Sequence, residues 1–563
     1  MRRVLSRGYH VADLRADALS GVLVGVVALP LSMALAIAVG VPPQHGLYTA
    51  IIAGFSVALL GGSKFQVTGP TAAFVVILAP ITNRYGLSGL LTAGMIAGVM
   101  LTGMGLARFG ALVRFMPYPV TTGFTTGIAT VIATLQVKDV FGLTPAGAMP
   151  DHYLERVVTL FRARGTARWE EVVVSVATFA LIVYLPKVVP KLPSPLLAIS
   201  FVAAACALAH RLDPRFVVAT IGSRFTTVVD GVAVHGIPGV LPRVQLPWGT
   251  SGLSFADVRE LASAAFAIAM LGAIESLLSA TIADGMTNTQ HDPNAELVAL
   301  GIGNVVAPFF GGIPATGALA RTATNIRAGA RSPVSAIIHA LLVLLSILVF
   351  APLVAYVPMA SLAALLVRVA WNMSEVHNFV GILEVAPKSD TAVLLLCYFL
   401  TVVFDMVVAI SVGMVLAVFL FMRRMATLTE SRLRMDSMVE EGQETAIPEG
   451  VVLYEINGPL FFGAAQSAMS ALHASRADGF RVLVLDLGRV PVIDATGLAA
   501  LENAISSVTR RRKTVVIAGP LPRPHQIFDK ADLPRKYPGL SFEPSVEDAL
   551  RLAGRLATTA RVA

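Results

Sequence analysis

The chain has 563 residues, of which 55% are hydrophobic and only 14% charged, with a mean hydropathy of +0.73. Soluble domains carry roughly 25% charged residues, so a large part of this chain belongs in lipid. The net charge of +8 comes from Lys and Arg dispersed among apolar runs, which speaks for a positive-inside bias and against nucleic-acid binding, and the two cysteines, Cys206 and Cys397, both in apolar runs, exclude a disulfide framework or zinc cluster.

The N-terminus is basic, and the first apolar run starts only near Ala18 with no small-residue cleavage site, so it reads as a retained first span. Taking roughly 20 apolar residues per span, the first half offers seven segments, near 18–39, 45–61, 69–83, 88–107, 119–137, 171–186 and 195–209. A polar stretch at about 211–255 follows, and then seven more, near 259–284, 295–311, 316–328, 333–355, 359–370, 389–404 and 406–422. Two sets of seven are what two repeats look like, and an odd number per half inverts the second against the first. With a cytoplasmic N-terminus, an even total returns the chain to the cytoplasm, where Arg423 and Arg424 follow the last span.

The third span of each half is interrupted. Phe65-Gln66-Val67-Thr68-Gly69-Pro70-Thr71 is a β-like stretch running into Gly-Pro, and Gly311-Gly312-Ile313-Pro314-Ala315-Thr316-Gly317 repeats the idea. Proline fits the first turn of a helix, so Pro70 is expected to start a half-helix at mid-membrane, and Pro314 either does the same or ends the extended lead-in. Paired interruptions of this kind point to a transport site. Two half-helix N-termini facing each other aim free N–H groups and partial positive charge at one cavity, which favours an anion. Arg321, about four residues into the second half-helix, either adds a full charge there or snorkels to the surface, as Arg327 and Arg331 do.

Glu275 stands in the apolar Ala269–Leu277 run of the eighth span, where an ionisable group is a functional position by default. It reads as a proton carrier, as a sodium ligand with Ser279 one turn away, or as a structural partner of Arg321. Asp284, Asp292 and Glu296 read as caps or surface charges. The histidines His45, His235, His291, His339 and His377 are dispersed, so no metal site is expected, and the absence of a Gly-x-x-x-x-Gly-Lys-Ser/Thr loop speaks against ATP-driven pumping. No cofactor is expected, and the chain does not read as an enzyme.

Beyond about residue 425 the character changes. A polar linker at 426–448 precedes strand-like Val451–Ile456, Val482–Leu487 and Val515–Ala518, with helical patterns around Ala464–Ala474 and Leu498–Thr509, a small soluble α/β domain at 449–563.

The run Ala28-Leu29-Pro30-Leu31-Ser32-Met33-Ala34-Leu35-Ala36, followed by Gly40-Val41-Pro42-Pro43 and Gly46-Leu47-Tyr48, resembles the signature of the sulfate permease (SulP) family. The Gly61–Thr71 stretch, Asp284-Gly285-Met286-Thr287 with Asn294-Ala295-Glu296-Leu297, and the segment with Arg321 and Asn325 resemble the same family. At Ala370-Trp371-Asn372-Met373-Ser374-Glu375 and Phe404-Asp405-Met406-Val407 the chain is most similar to bacterial members that carry C4-dicarboxylates. The resemblance implies an α-helical polytopic membrane protein with fourteen spans in two inverted repeats of seven, about 16–210 and 256–425, forming a core that slides against a gate within residues 1–425. It implies a homodimer in the bacterial inner membrane. Its function would be proton-coupled uptake of succinate or fumarate, with bicarbonate or sulfate, sodium coupling or an uncoupled anion channel as alternatives.

The resemblance further places the anion between the third and tenth spans, at Thr68, Gly69, Pro70, Thr71 and Ala72 with Gly317, Ala318, Leu319, Ala320 and Arg321, and matches Glu275 to an acidic coupling position. Leu31 stands where animal relatives have a polar residue, an apolar wall suited to an organic anion. The soluble domain resembles a STAS domain, with Asp494-Ala495-Thr496-Gly497 at its regulatory loop. Thr496 is then either a phosphorylated regulatory position or, with Asp494, part of a plain helix cap. The domain is expected to regulate, dimerise or recruit a cytoplasmic partner.

Overall fold

The computed structural model describes residues 8–111, 116–147, 149–150, 152–189, 193–229, 231–249, 252–404, 406–428, 430–434, 437–440, 443–461 and 480–559. It divides into two compact units, Met1–Val415 and Leu416–Ala563.

Helices dominate the first unit because its apolar runs are long and free of polar breaks. Its first half runs α1 Val11–Val39, α2 Gln44–Leu60, β1 Thr68–Gly69, α3 Ala72–Leu106, α4 Tyr118–Val140, α5 Tyr153–Arg162, α6 Trp169–Val188 and α7 Ser194–Leu212. Seven helices of the described residues are long and apolar enough to cross a bilayer. The expected third and fourth spans lie in one helical stretch, α3, broken at Gly86, where φ 66° and ψ −171° suit only glycine. A hairpin, β2 Thr226–Val229 and β3 Val232–His235, occupies the polar stretch between the halves.

The second half repeats the order: α8 Phe255–Thr287, α9 Pro293–Val306, β4 Thr316–Gly317, α10 Leu319–Arg327, α11 Val334–Val354, α12 Met359–Met373, α13 Val376–Val385, α14 Lys388–Val403 and α15 Met406–Leu428. The short helices α5 and α13, which hydropathy did not single out, stand at matching places, after the fifth segment of each half. Asp405, within one of the resembling stretches, lies outside the described residues.

Contacts between chain-distant points agree with inverted repeats. On the face where the chain enters, the α1 carboxylate of Asp17 accepts from the Arg331 and Ser332 amides ahead of α11, at 2.6 and 3.0 Å. Tyr9 donates to Asp17 at 2.8 Å, and burial with that carboxylate pushes the phenol up to about 12, so it stays a donor. Glu296 at the start of α9 accepts from the Gly62 and Ser63 amides after α2, at 2.8 and 2.9 Å. It is 1% exposed, which corrects its reading as a cap or surface charge: the Gly61-Gly62 pair lets the loop backbone close onto the carboxylate. Asp292 is the cap of α9, and Asp284 bonds His291 at 2.6 Å. On the opposite face the inter-repeat stretch is tied down by Gln44 donating to Thr227 at 3.1 Å and by the Gln245 amide donating to the Phe309 carbonyl at 2.7 Å.

The second unit carries β5 Glu430–Arg434, β6 Ser437–Glu440, β7 Gln443–Ala446, β8 Val451–Asn457, β9 Val482–Arg489, α16 Ala495–Arg510, β10 Thr514–Ala518, α17 Pro522–Lys530, β11 Leu540–Glu543 and α18 Val546–Thr559. Its sheet has the order β11-β10-β9-β8-β5, parallel except for β5. Strand alternation sorts the core: Tyr454, Leu483, Leu485 and Ile517 pack with Leu501 and Ile505 of α16, while Leu453, Val484 and Val516 pack with Ala549 and Ala553 of α18. The expected linker holds β5, whose Glu-Ser-Arg-Leu-Arg sequence suits an exposed sheet edge. The helix expected around Ala464–Ala474 lies outside the described residues.

Candidate functional site

The two interrupted segments meet. β1 and β4 pair antiparallel, Thr68 opposite Gly317 and Gly69 opposite Thr316, so α3 and α10 leave the crossing in opposite directions with their N-termini at its centre. Pro70 and Pro314 both lie in extended lead-ins, a correction to Pro70 as the helix start: Thr71 holds the extended cap position (φ −123°, ψ 158°) and α3 begins at Ala72. Likewise Ala318 precedes α10, and Arg321 is the third residue of that helix, nearer its N-terminus than sequence spacing gave.

Two asparagines fix the lead-ins. Asn304 of α9 bonds both backbone groups of Ala315, accepting from its amide at 2.7 Å and donating to its carbonyl at 2.9 Å, in the manner of a strand partner. Asn325 of α10 donates to the Phe65 carbonyl at 2.9 Å and accepts from Ser20 of α1 at 2.6 Å. The Val67 amide donates to Thr322 at 3.1 Å, and the Ala318 amide to the Val67 carbonyl at 2.9 Å. Every one of these groups is buried, which makes each bond costly to lose.

Helix α8 lies along the crossing with one polar stripe, spaced three and four residues apart so that it falls on one face. Thr316 donates to the Gly272 carbonyl at 3.0 Å, Gln66 to Ser276 at 2.6 Å, and Ser279 to Thr322 at 3.3 Å. Between them the partly exposed Glu275 accepts from Thr71 at 2.8 Å. Ser279 therefore bonds to α10, and among the described residues no ion pair joins Glu275 to Arg321.

Arg321 is 2% exposed and donates through Nη2 to the Pro70 carbonyl, which ties the second half-helix to the mouth of the first. Its Nε and Nη1 have no protein acceptor, nor has the Thr68 hydroxyl a partner. Gly69 makes room for the guanidinium, since a Cβ there would stand 2.5 Å from Nη1. The crossing thus gathers Thr68, Gly69, Pro70, Thr71 and Ala72 with Gly317, Ala318, Leu319 and Arg321, and leaves Ala320 on an exposed face of α10. Buried cationic donors beside two helix N-termini are complementary to a small anion. Sequence reading missed Asn304, Gln66 and Ser276; their one signal is polarity inside apolar runs, in Ser276's case beside Glu275.

In the second unit, Asp494 caps α16 by accepting from the Gly497 amide at 2.6 Å, and Thr496 is exposed in the first turn. Among the described residues no cluster of three or more His, Cys, Asp or Glu side chains is arranged to hold a metal.

The sulfate permease family profile matches residues 14–397, and the STAS domain profile residues 443–549. The chain is 40% identical to "Putative sulfate transporter YvdB" of Bacillus subtilis, covering 94% of this chain and 95% of that protein. It is 29% identical to the bicarbonate transporter BicA of a Picosynechococcus, over 97% and 95% of the two chains. Murine Slc26a9, an anion transporter solved in an inward-facing state, shares the fold with a TM-score of 0.84 at 17% identity, over 98% of this chain and 93% of that one. These relatives are named for sulfate and bicarbonate. On this evidence the chain belongs to the sulfate permease family, as a multi-pass helical membrane transporter with a C-terminal STAS domain.

Proposed function

We propose that the chain is a secondary active transporter that takes up small anions by an elevator-like movement, coupled to protons, with C4-dicarboxylates such as succinate and fumarate as substrates. The observation that carries the anion is Arg321, buried between opposed half-helices with two donors that no protein group accepts. Glu275, bonded to the residue that opens the first half-helix, is the group assigned to the coupling ion; its bond to Thr71 links its protonation to the crossing. The apolar Leu31 after Leu29-Pro30 in α1 favours an organic anion. A second reading, bicarbonate or sulfate as substrate, is favoured by the names of the relatives. A third is an uncoupled anion channel.

The reading places the protein in the bacterial inner membrane as a homodimer with both termini cytoplasmic. Residues 1–425 would be the transporter, 426–448 the linker and 449–563 the STAS domain, where Thr496 is a regulatory position and a cytoplasmic partner docks. A phosphate on Thr496 would sit in the first turn of α16, where the helix end favours negative charge. Uptake of succinate, bicarbonate and sulfate into proteoliposomes, with and without pH and sodium gradients, tests the reading. Succinate accumulation driven by an inward proton gradient supports it. Flux that never exceeds the anion's own gradient identifies a channel, and a sodium requirement removes the proton.

A further inference from the structure

The bonds that build the crossing do not account for His339, a buried polar side chain of α11. It is 0% exposed, and neither ring nitrogen has a hydrogen-bond partner among the described residues. The Ala336 carbonyl, a turn back on the same helix, lies near the ring but outside hydrogen-bonding geometry. An imidazole buried without partners costs stability that an apolar side chain would not, so packing alone gives no reason for it.

Its neighbours fix its place. Asn325 of α10 donates to Ser335 of α11 at 2.9 Å, across the turn that joins the two helices. One turn toward the membrane centre from Asn325 stands Arg321, and one turn in the same direction from Ser335 stands His339. Ala336, on that face of α11, packs with Val67, the residue before Thr68. His339 therefore stands on the wall behind the first lead-in, within electrostatic reach of Arg321. Arg321 is the charged group that faces it from α10. Helix α1 carries no titratable group beyond Asp17, which is held by the Arg331 and Ser332 amides at the membrane face. Helix α2 has only His45 and Tyr48, at its far end, and the lead-in from Phe65 to Gly69 has none.

We propose that His339 is a proton-binding site of the carrier, which takes up a proton together with a divalent anion on Arg321 and releases both on the far side. An open ring nitrogen supplies the lone pair, the proton comes from the solution that delivers the anion, and only an N–H bond forms and breaks. With the site empty, imidazolium and guanidinium would repel across a medium that screens them poorly. A monovalent anion is balanced by Arg321 alone. A dianion such as sulfate or succinate leaves a net negative charge there, which a proton on His339 cancels. The inference rests on the anion-transport reading and adds the group that fits the site to divalent substrates. Glu275, on α8 and bonded to Thr71, is a separate position for a proton.

Glu275→Gln removes the other titrating group, so proton uptake that remains belongs to His339. In the purified full-length Glu275→Gln protein in detergent, radiolabelled sulfate binds up to about tenfold more tightly per unit fall in pH, and a pH-indicator dye reports about one proton taken up per sulfate bound. Sulfate stays a dianion through the neutral range, so the slope comes from the protein. Adding His339→Gln flattens the affinity profile and abolishes the proton uptake. His339→Asn does the same, and neither change removes a hydrogen bond from the fold. Sulfate binding without proton uptake in Glu275→Gln, or uptake that survives both substitutions at His339, overturns the inference and leaves the anion reading standing. A wild type that binds neither sulfate nor succinate overturns that reading and the inference with it.

Discussion

Asn304 is the residue through which the crossing is most open to quantitative attack. Its side chain serves both backbone groups of Ala315, the residue before β4, and also donates to the Leu300 carbonyl at 2.9 Å. In Asn304→Ala the Ala315 amide and carbonyl are left buried without partners, at about 1–3 kcal/mol each. Water has no ready access, since Asn304 and Ala315 are 1% and 0% exposed, so the combined loss is about 3 kcal/mol. Among the described residues β4 then keeps its pairing with β1, the Thr316 bond to α8 and the adjoining bond from the Ala318 amide to Val67, but loses the support of its lead-in, so Gly317 and the start of α10 shift from their register. Two readouts follow: unfolding free energy by SDS titration falls by about that amount, and KM for anion uptake rises about tenfold or more in the protein that remains folded. Wild-type stability together with wild-type KM would refute the view that an asparagine on α9 sets the geometry of the site.

Other expectations concern the ion, the anion and the soluble domain. Glu275→Gln keeps the bond from Thr71 but removes the titrating group, so accumulation loses its dependence on external pH; an unchanged pH profile takes Glu275 out of coupling. Gly69→Ala sets a Cβ 2.5 Å from Nη1 of Arg321, so the guanidinium must shift and uptake drops severalfold while folding holds, as measured by KM and by yield of monodisperse protein. Asp494→Ala removes the α16 cap, worth about 1 kcal/mol, and speeds hydrogen exchange of the first-turn amides in the full chain about fivefold; unaltered exchange means the bond to Gly497 contributes nothing.

The layout of the membrane part was legible because hydropathy and inversion are properties of whole segments. Two interrupted spans at matching places predicted a crossing, and β1 and β4 form it. The details were not legible where the backbone departs from a rule of thumb. Proline at Pro70 suggested a helix start, yet its residue serves an extended lead-in whose carbonyl accepts from Arg321, and Thr71 takes the cap position. Glu296 looked like a first-turn surface carboxylate, since no local pattern says that Gly62 and Ser63, more than 230 residues away, will present their amides to it. The edge strand β5 escaped because its short, polar sequence reads as linker, and β11 because four residues, Leu540–Glu543, are too few to show a strand's alternation. Asn304 and Gln66 show no signal beyond being polar in apolar surroundings, because their partners are backbone groups and a serine supplied by other segments.

Arg321 is where the account is most exposed. Purified Arg321→Ala protein, reconstituted and assayed for succinate, sulfate and bicarbonate uptake beside the wild type, is predicted to fold normally and to lose about a hundredfold in rate, because the anion then meets only two helix ends. Undiminished uptake of an anion that the wild type carries would show that the buried guanidinium at the crossing does not hold the substrate.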